Sequence, residues 1–103
     1  MSSRPVYFVL LSRREDCSRE RFLDAWLGEH RLLLSELPGL TEVRLLPVAE
    51  PEEGGYDGVG LLFFESEEAM ARALQSEPGQ RLRAHTGTFA NSAAAIRLVL
   101  LEG

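Results

Sequence analysis

The sequence contains no lysine, and all eleven of its basic residues are arginine. The absence of lysine excludes catalysis through a Schiff base on a lysine side chain. A single cysteine, Cys17, excludes an internal disulfide framework. No spacing of cysteine and histidine suggests structural zinc, and we therefore predict no metal site.

Long hydrophobic runs are also absent, because the longest one, Val6 to Leu11, is far too short to cross a bilayer. The amino terminus lacks the pattern of a signal peptide, and we therefore expect a cytoplasmic protein. Positive charge is scarce too, since 16 acidic and 11 basic residues give a formal net charge of −5. Neither a nucleic acid nor a membrane is expected as a partner.

The composition is that of one globular domain spanning residues 1–103. The chain is 45% hydrophobic and 26% charged, which is typical of a folded domain. The only loop-like stretch is the cluster of proline, glycine and acidic residues from Ala49 to Asp57. We interpret it as a connection between two strands, because the segment on either side is too small to hold a core alone.

Hydrophobic patterning and helix-capping residues divide the chain into strands and helices. The predicted strands are Val6–Leu11, Leu40–Val48, Val59–Glu65 and Ala94–Leu101. The predicted helical segments follow the caps Ser18 (to about Leu37) and Ser66, and a further one covers about Gln80–Phe89 after an interruption at Glu77-Pro78-Gly79. The order β-α-β-β-α-β predicts an α+β, ferredoxin-like domain. It has a four-stranded antiparallel sheet with the helices on one face.

The other face of this sheet is predicted to be apolar. A sheet with one face in water should alternate apolar and polar residues. Val6–Leu11, Val59–Phe64 and Leu98–Leu101 are instead apolar at both parities. Large exposed apolar faces are rare in soluble monomers, so we predict a homodimer in which two sheets pack face to face. The alternative is that the Ala49–Asp57 loop folds across this face.

The first helix carries a histidine on its apolar side. On a helical wheel, Phe22, Trp26, Leu33 and Leu37 fall on one side, and His30 lies about 80° from Phe22 on the same stripe. A buried imidazole is the best candidate here for proton transfer near neutral pH. The alternative is a core histidine bound to one backbone carbonyl.

Glu29 and Gly28, which directly precede His30, also affect this interpretation. Glu29 flanks the apolar stripe, where we expect it to be partly covered without being a direct partner of His30. Gly28 costs about 1 kcal/mol relative to alanine inside a helix. It either permits the close approach of another element or is simply tolerated.

The second histidine lies in a comparable position. Leu82, His85 and Phe89 recur at i, i+3 and i+7, so His85 shares a face with Phe89 if this segment is helical. Thr86-Gly87-Thr88 weakens the helix and would leave the ring in solvent. Two histidines and several aromatic side chains in one layer fit an apolar pocket, and they fit a filled core equally well.

The pattern Phe22-x-x-x-Trp26-x-x-x-His30 followed by Leu37-Pro38-Gly39-Leu40 resembles the EthD family. Tyr56-Asp57-Gly58-Val59 at the third strand and Phe63-Phe64-x-Ser66 before the second helix fit the same family. The resemblance implies a dimeric α+β barrel in which each subunit keeps a pocket between helices and sheet. Relatives in this superfamily include cofactor-free monooxygenases, polyketide cyclases, isomerases, lyases and haem-handling enzymes.

The resemblance carries over His30, with Trp26 beside it, as the position of interest. Many relatives have an acidic residue near the place of His85, so the substrate class stays open. We expect a small enzyme without a cofactor that acts on an aromatic, polyketide-like or lactone substrate. His30 would transfer a proton next to a carbonyl during oxygenation, cyclisation, dehydration or decarboxylation. Phe22, Trp26 and Phe89 would form apolar walls, and His85 or Tyr7 would hydrogen-bond a substrate oxygen.

Two other functions remain open at this stage. One is a non-catalytic dimeric binding or accessory protein for an apolar metabolite. The other is haem binding with His30 or His85 as the axial ligand. Arg44 and Arg97 lie on predicted strands, where an ion pair with Glu42 or a loop acid is a simpler expectation than an anion site.

Overall fold

The computed structural model describes residues 3–103, which form four strands and four helices around one π-helical turn. The elements are β1 Pro5–Leu11, α1 Arg19–Ala25, the π-helical turn Trp26–His30, α2 Arg31–Leu34, β2 Leu40–Pro47, β3 Gly58–Phe64, α3 Glu67–Gln75, α4 Glu77–Thr86 and β4 Ile96–Leu101. The strand order is β2-β3-β1-β4, and every neighbouring pair is antiparallel. The predicted ferredoxin-like fold is confirmed. Within residues 3–103, no helix is long and apolar enough to span a membrane.

The helix starts lie where capping residues predicted them. The Ser18 hydroxyl accepts a hydrogen bond from the Arg21 backbone N–H at 3.1 Å. The Ser66 hydroxyl accepts one from the Ala69 N–H at 3.0 Å. Each cap satisfies a donor that the first helical turn leaves without a partner.

The predicted interruption at Glu77-Pro78-Gly79 is wrong, because these residues form the first turn of α4. The Ser76 hydroxyl caps this turn by accepting from the Gly79 N–H at 3.2 Å. Pro78 is tolerated in a first turn, where its missing N–H would have no helical partner. A Cβ on Gly79 would lie 2.4 Å from the Ala73 carbonyl oxygen, so glycine lets α4 begin directly against the end of α3. α4 ends at Thr86, three residues before the predicted end.

The first helix is not the single regular α-helix that the wheel assumed, because a π-helical turn interrupts it at Trp26–His30. A π turn contains more residues than an α turn and so shifts the rotational phase of the residues after it. The buried positions therefore recur every fourth residue, at Phe22, Trp26, His30 and Leu34. Leu33, which the wheel placed on the apolar stripe, is only partly buried. The turn brings His30 into line with the two aromatic residues before it.

The two faces of the sheet are separated by the alternation of side chains along each strand. On β1, Tyr7 and Val9 face the helices, so Phe8 faces away, opposite Leu98 of β4. The outward face is apolar and exposed, with Leu98 at 49% of its full exposure. The alternative in which the acidic loop covers this face is wrong. Its residues 52–57 lie instead beside Ser12 and Arg13 at the end of the sheet.

Candidate functional site

A cavity lies between the helices and the sheet. The sheet contributes Tyr7, Leu62 and Arg97 to its wall, and the helical layer contributes Trp26, His30 and Thr86, among mostly aliphatic side chains. The enclosed volume of the cavity is about 60 Å³, and about 580 Å³ is empty when the open mouth is included. Pockets for drug-sized ligands measure about 300–1,000 Å³. The enclosed part is therefore much smaller than such a pocket, and a ring system fits only if it extends into the mouth.

Trp26 forms one wall of the cavity and is 1% exposed. A Cβ on Gly58 of β3 would lie 2.5 Å from two carbon atoms of the indole. That separation is impossible for real atoms, so the absence of a side chain at Gly58 makes room for the ring. The packing of Trp26 therefore explains why a glycine follows Asp57 in the sequence.

Phe22 and Phe89 lie behind this wall and do not line the cavity. The centre of the Phe22 ring is 5.6 Å from that of Trp26 and 5.4 Å from that of Phe89. Both phenylalanines are buried. The two phenylalanines therefore support the Trp26 and His30 rings by packing behind them.

His30 lies in the cavity wall and is 5% exposed. Its Nδ1 is 3.0 Å from Nδ1 of His85, and the two ring planes are within 20° of parallel with their centres 5.3 Å apart. The edge of Phe89 packs against His30 from a third direction, at 5.2 Å between ring centres. The alternative of a histidine bound to a backbone carbonyl is therefore wrong, because its partner is the other histidine.

His85 lies on the outer side of His30, where its side chain is 15% exposed. The alternative of a ring in solvent is therefore wrong, because α4 continues through Thr86. His85 faces a surface depression that also includes Cys17 and Glu29, and it does not line the cavity. Its Nε2 is 3.2 Å from Oε2 of Glu29.

Glu29 was expected to be partly covered, and its side chain is instead 73% exposed. As expected, it is not a partner of His30. Its contact with His85 could not be predicted from the sequence, because spacing within one helix says nothing about a partner on another helix. The π turn directs the consecutive residues Glu29 and His30 to opposite sides of the wall.

The electrostatic environment of His30 disfavours its charged form. Burial lowers the pKa of His30 to about 4, and the neighbouring His85 acts in the same direction. His30 is therefore neutral near pH 7. A neutral imidazole can accept a proton at one nitrogen while it donates a hydrogen bond from the other, so His30 in its resting state can act as a base.

Tyr7 and Arg97, whose orientation the sequence left open, both face the cavity. Arg44 lies on the other face of the sheet and pairs with Glu42, as expected. No carboxylate of residues 3–103 lies within ion-pair distance of the Arg97 guanidinium, so the ion pair expected there does not form within this part of the chain. Arg97 thus presents a positive charge beside an apolar cavity.

Asp57 is a structural residue, although its sequence context predicted only a member of a solvated loop. It is 2% exposed, accepts a hydrogen bond from the Arg13 backbone N–H at 2.8 Å, and pairs with the Arg19 guanidinium at 3.1 Å. These contacts fix the loop end immediately before Gly58. Within residues 3–103, no three His, Cys, Asp or Glu side chains cluster closely enough to hold a metal ion.

A four-stranded antiparallel sheet with a cavity under its helices defines the class of ferredoxin-like α+β domains. The profile of the EthD domain family matches residues 14–93, and the chain therefore belongs to that family. A comparison with curated proteins gave no match.

Solved structures similar to this chain share its fold. An EthD family protein from Bacillus halodurans has a TM-score of 0.81 at 16% identity, over 97% of this chain and 99% of that one. SnoaB, a cofactor-independent oxygenase from Streptomyces nogalater, has a TM-score of 0.73 at 10% identity, over 96% and 92%. A dimeric ferredoxin-like protein of unknown function from Jannaschia has a TM-score of 0.71 at 22% identity, over 94% and 97%. At such low identities these likenesses show the fold alone.

Proposed function

We propose that this protein is a small enzyme in which His30 transfers a proton to or from a hydrophobic substrate without a bound cofactor. The observation that carries the proposal is a buried imidazole in the wall of an apolar cavity. Trp26 would supply the flat apolar surface against which a substrate ring packs. The chemistry common to the expected oxygenation, cyclisation, dehydration and decarboxylation is proton transfer beside a carbonyl group.

The reactive atom in this proposal is Nε2 of His30. Its Nδ1 is already bound to His85. Among residues 3–103, no side-chain nitrogen or oxygen is both sealed off and without a hydrogen-bond partner. Nε2 of His30 has no hydrogen-bond partner within residues 3–103, so it is not fully sealed from solvent. We infer that Nε2 opens to the cavity, because His30 lines the cavity.

The low basicity of His30 narrows the substrate class. A base with a pKa of about 4 removes a proton only from a relatively acidic substrate whose anion the site also stabilises. Phenols and 1,3-dicarbonyl compounds are among the more acidic apolar compounds, and their anions carry the charge on oxygen. Removing the proton leaves a negative oxygen, which the Arg97 guanidinium or the Tyr7 hydroxyl would stabilise.

The similarity to SnoaB adds support at the level of the fold. That protein is a cofactor-independent oxygenase, so this fold can carry oxygenation without a bound cofactor. In an oxygenation of that kind the substrate itself must supply the electrons, and deprotonation to an electron-rich anion is the step that a base such as His30 would provide.

Hydrogen exchange tests the shared first step and does not require the complete reaction to be identified. Apolar 1,3-dicarbonyl and phenolic ketone compounds are incubated with the protein in D₂O, and loss of the acidic C–H signal is followed by proton NMR. We expect the protein to accelerate exchange for one class of compound. His30→Ala should lower that rate by about 10²–10⁴-fold, the usual contribution of a positioned base. Retention of the full rate in His30→Ala would refute the proposal.

The low pKa of His30 also favours a second candidate function. A neutral imidazole that is reluctant to accept a proton suits a site that only hydrogen-bonds an apolar ligand. In this non-catalytic binding or accessory protein, His30→Ala would weaken ligand binding modestly. Saturable binding with no exchange in any compound of the panel would favour this function over the enzyme. A haem is far larger than this interior space, and we do not propose haem binding.

We further propose that the protein is a homodimer paired through the exposed face of its sheet. The apolar side chains on that face include Phe8, Leu10, Leu46, Leu61, Ile96, Leu98 and Leu100. Leu46, Ile96, Leu98 and Leu100 are exposed in a single chain and the other three are partly exposed, which favours burial against a second copy. The dimeric state of the Jannaschia protein, which shares the fold, supports this assembly.

A further inference from the structure

We propose that His85 and Glu29 extend His30 into a proton relay that connects the interior cavity to the protein surface. The inference rests on the proposed function, because it assigns roles to two residues beside the proposed base. Exposure rises step by step along the chain of contacts. The side chains of His85 and Glu29 are 15% and 73% exposed, whereas His30 is 5% exposed.

The backbone explains why these three side chains form a line. Glu29 and His30 are consecutive residues of the π-helical turn, and they point to opposite sides of the wall. α4 packs against this turn and places His85 between them. The two contacts, 3.0 Å between the histidines and 3.2 Å from His85 to Glu29, are both within hydrogen-bonding distance.

The carboxylate of Glu29 determines which nitrogen of each ring carries the proton. An ionised carboxylate only accepts, so Nε2 of a neutral His85 carries the proton that faces Glu29. Nδ1 of His85 is then an acceptor, and the proton between the two rings belongs to Nδ1 of His30. Nε2 of His30 is left with a lone pair, and this atom reaches the cavity. The outer pair thus holds the inner ring in the tautomer that a base requires.

Proton transfer along this line balances. A substrate proton moves to Nε2 of His30 while the Nδ1 proton of His30 moves to Nδ1 of His85. The Nε2 proton of His85 then moves to Glu29 or to water at the surface. One proton enters the line and one leaves, and both neutral rings finish in the opposite tautomer. Passage of a proton in the reverse direction, from solvent to the product, restores the starting state.

The chain offers a matched control at the same surface depression. Asp24 also lies there, together with Arg21, and is an exposed carboxylate like Glu29. Asp24 belongs to α1 and has no ion pair with His85. Glu29→Gln and Asp24→Asn therefore each remove one exposed negative charge, but only the first removes the partner of His85.

Nitrogen-15 NMR of the imidazole rings at pH 7.5 tests the relay on the free protein. We expect His30 to carry its proton on Nδ1 and His85 on Nε2. In Glu29→Gln the amide can donate as well as accept, so both rings should shift to a mixture of tautomers, while Asp24→Asn keeps the wild-type pattern. A proton on Nε2 of His30 in the wild type, or an unchanged pattern in Glu29→Gln, would overturn the proposal.

The relay and the proposed function can fail separately. The tautomer measurement needs no substrate, so the expected pattern together with an absence of C–H exchange would refute the enzyme and leave the hydrogen-bonded line intact. Exchange that depends on His30 but proceeds at the wild-type rate in Glu29→Gln and in His85→Phe would refute the relay alone. Glu29 is exposed, so its variant is expected to fold even if a change at His85 does not.

Discussion

The two faces of the sheet differ in the size and polarity of their side chains. The outward face carries aliphatic and aromatic side chains along β1, β3 and β4, and those on β4 are exposed in a single chain, whereas β2 adds the ion pair of Arg44 and Glu42. The inward face alternates large side chains with Gly58 and Gly60 and includes the charged Arg97. An exposed apolar face suits burial against another surface, whereas glycines and one charge beside a cavity suit a site for a ligand.

This difference separates the proposed interface from the proposed active site within one sheet. Each strand contributes alternate residues to the two faces, so a single strand such as β1 serves both roles, with Phe8 outward and Tyr7 inward. A one-residue shift in register would exchange the two sets. The antiparallel pairing of β1 with β3 and β4 therefore determines both the outward apolar face and the lining of the cavity.

The largest effect is expected from a charge placed on the outward face. Leu98→Glu would bury an unpaired carboxylate at the proposed interface. A cost of several kcal/mol weakens dimerisation by more than about 100-fold. Sedimentation of the wild type should give roughly twice the mass of one 11.5 kDa chain, and the variant should give the mass of one chain.

Leu32→Glu provides the control for this experiment. Among residues 3–103, Leu32 is the most exposed large hydrophobic residue, at 69%, and it lies on α2 instead of the sheet. The same change of leucine to glutamate at this site should leave the dimer intact. A dimer that survives Leu98→Glu as well would show that the outward face is not the interface.

The next largest effect is a pH dependence of stability caused by His30, which lies under the inward face. Above pH 6.5, His30 is neutral in both the folded and the unfolded chain. Between pH 6.5 and about 4, the unfolded chain binds a proton that the folded protein does not, because burial lowers the pKa of the folded imidazole. The free energy of unfolding should therefore fall on acidification, by at most about 3 kcal/mol over the window.

Urea unfolding at pH 7 and pH 5 measures this contribution. Both pH values lie above the ordinary pKa of a carboxyl group, so the carboxyl groups contribute little to the difference. His30→Phe removes the titrating ring and should flatten the decrease. If the variant loses as much stability as the wild type between the two pH values, the neutral buried state assigned to His30 is wrong.

Much of the fold could be predicted from the sequence because it rests on local signals. Ser18 and Ser66 cap helices where their side chains precede an apolar repeat. The unbroken apolar strands predicted the exposed apolar face from their composition alone. The bounds of the strands differ from those predicted by two residues or fewer, as expected where fraying and neighbouring turns set the ends.

The site was harder to predict because it depends on contacts between distant residues. The wheel assumed a constant turn, so it did not predict the π turn that aligns His30 with Trp26. The pairing of His30 with His85 spans 55 positions and two helices, and spacing along the chain carries no information about it. Asp57 looked like any acidic loop residue, since only its arginine partners reveal its burial.

The smallest predicted effect compares Gly58, on the inward face of the sheet, with Gly28, which is exposed in the π-helical turn. A Cβ at Gly58 would meet the Trp26 indole at 2.5 Å, whereas one at Gly28 in the π turn would meet no atom within 4 Å. Gly58→Ala should therefore destabilise the protein by about 1–3 kcal/mol, the usual cost of overpacking a core. It should also change the fluorescence of Trp26, the only tryptophan, because the indole must move.

Gly28→Ala is the matched control for that substitution. It adds the same methyl group without a clash and replaces a residue with poor helix propensity, so it should stabilise the protein by up to about 1 kcal/mol. The close approach considered for Gly28 from the sequence is thus found at Gly58 instead. Thermal unfolding of the two variants should give shifts in melting temperature of opposite sign. Equal shifts would show that the contact of Trp26 with β3 does not restrict the side chain at position 58.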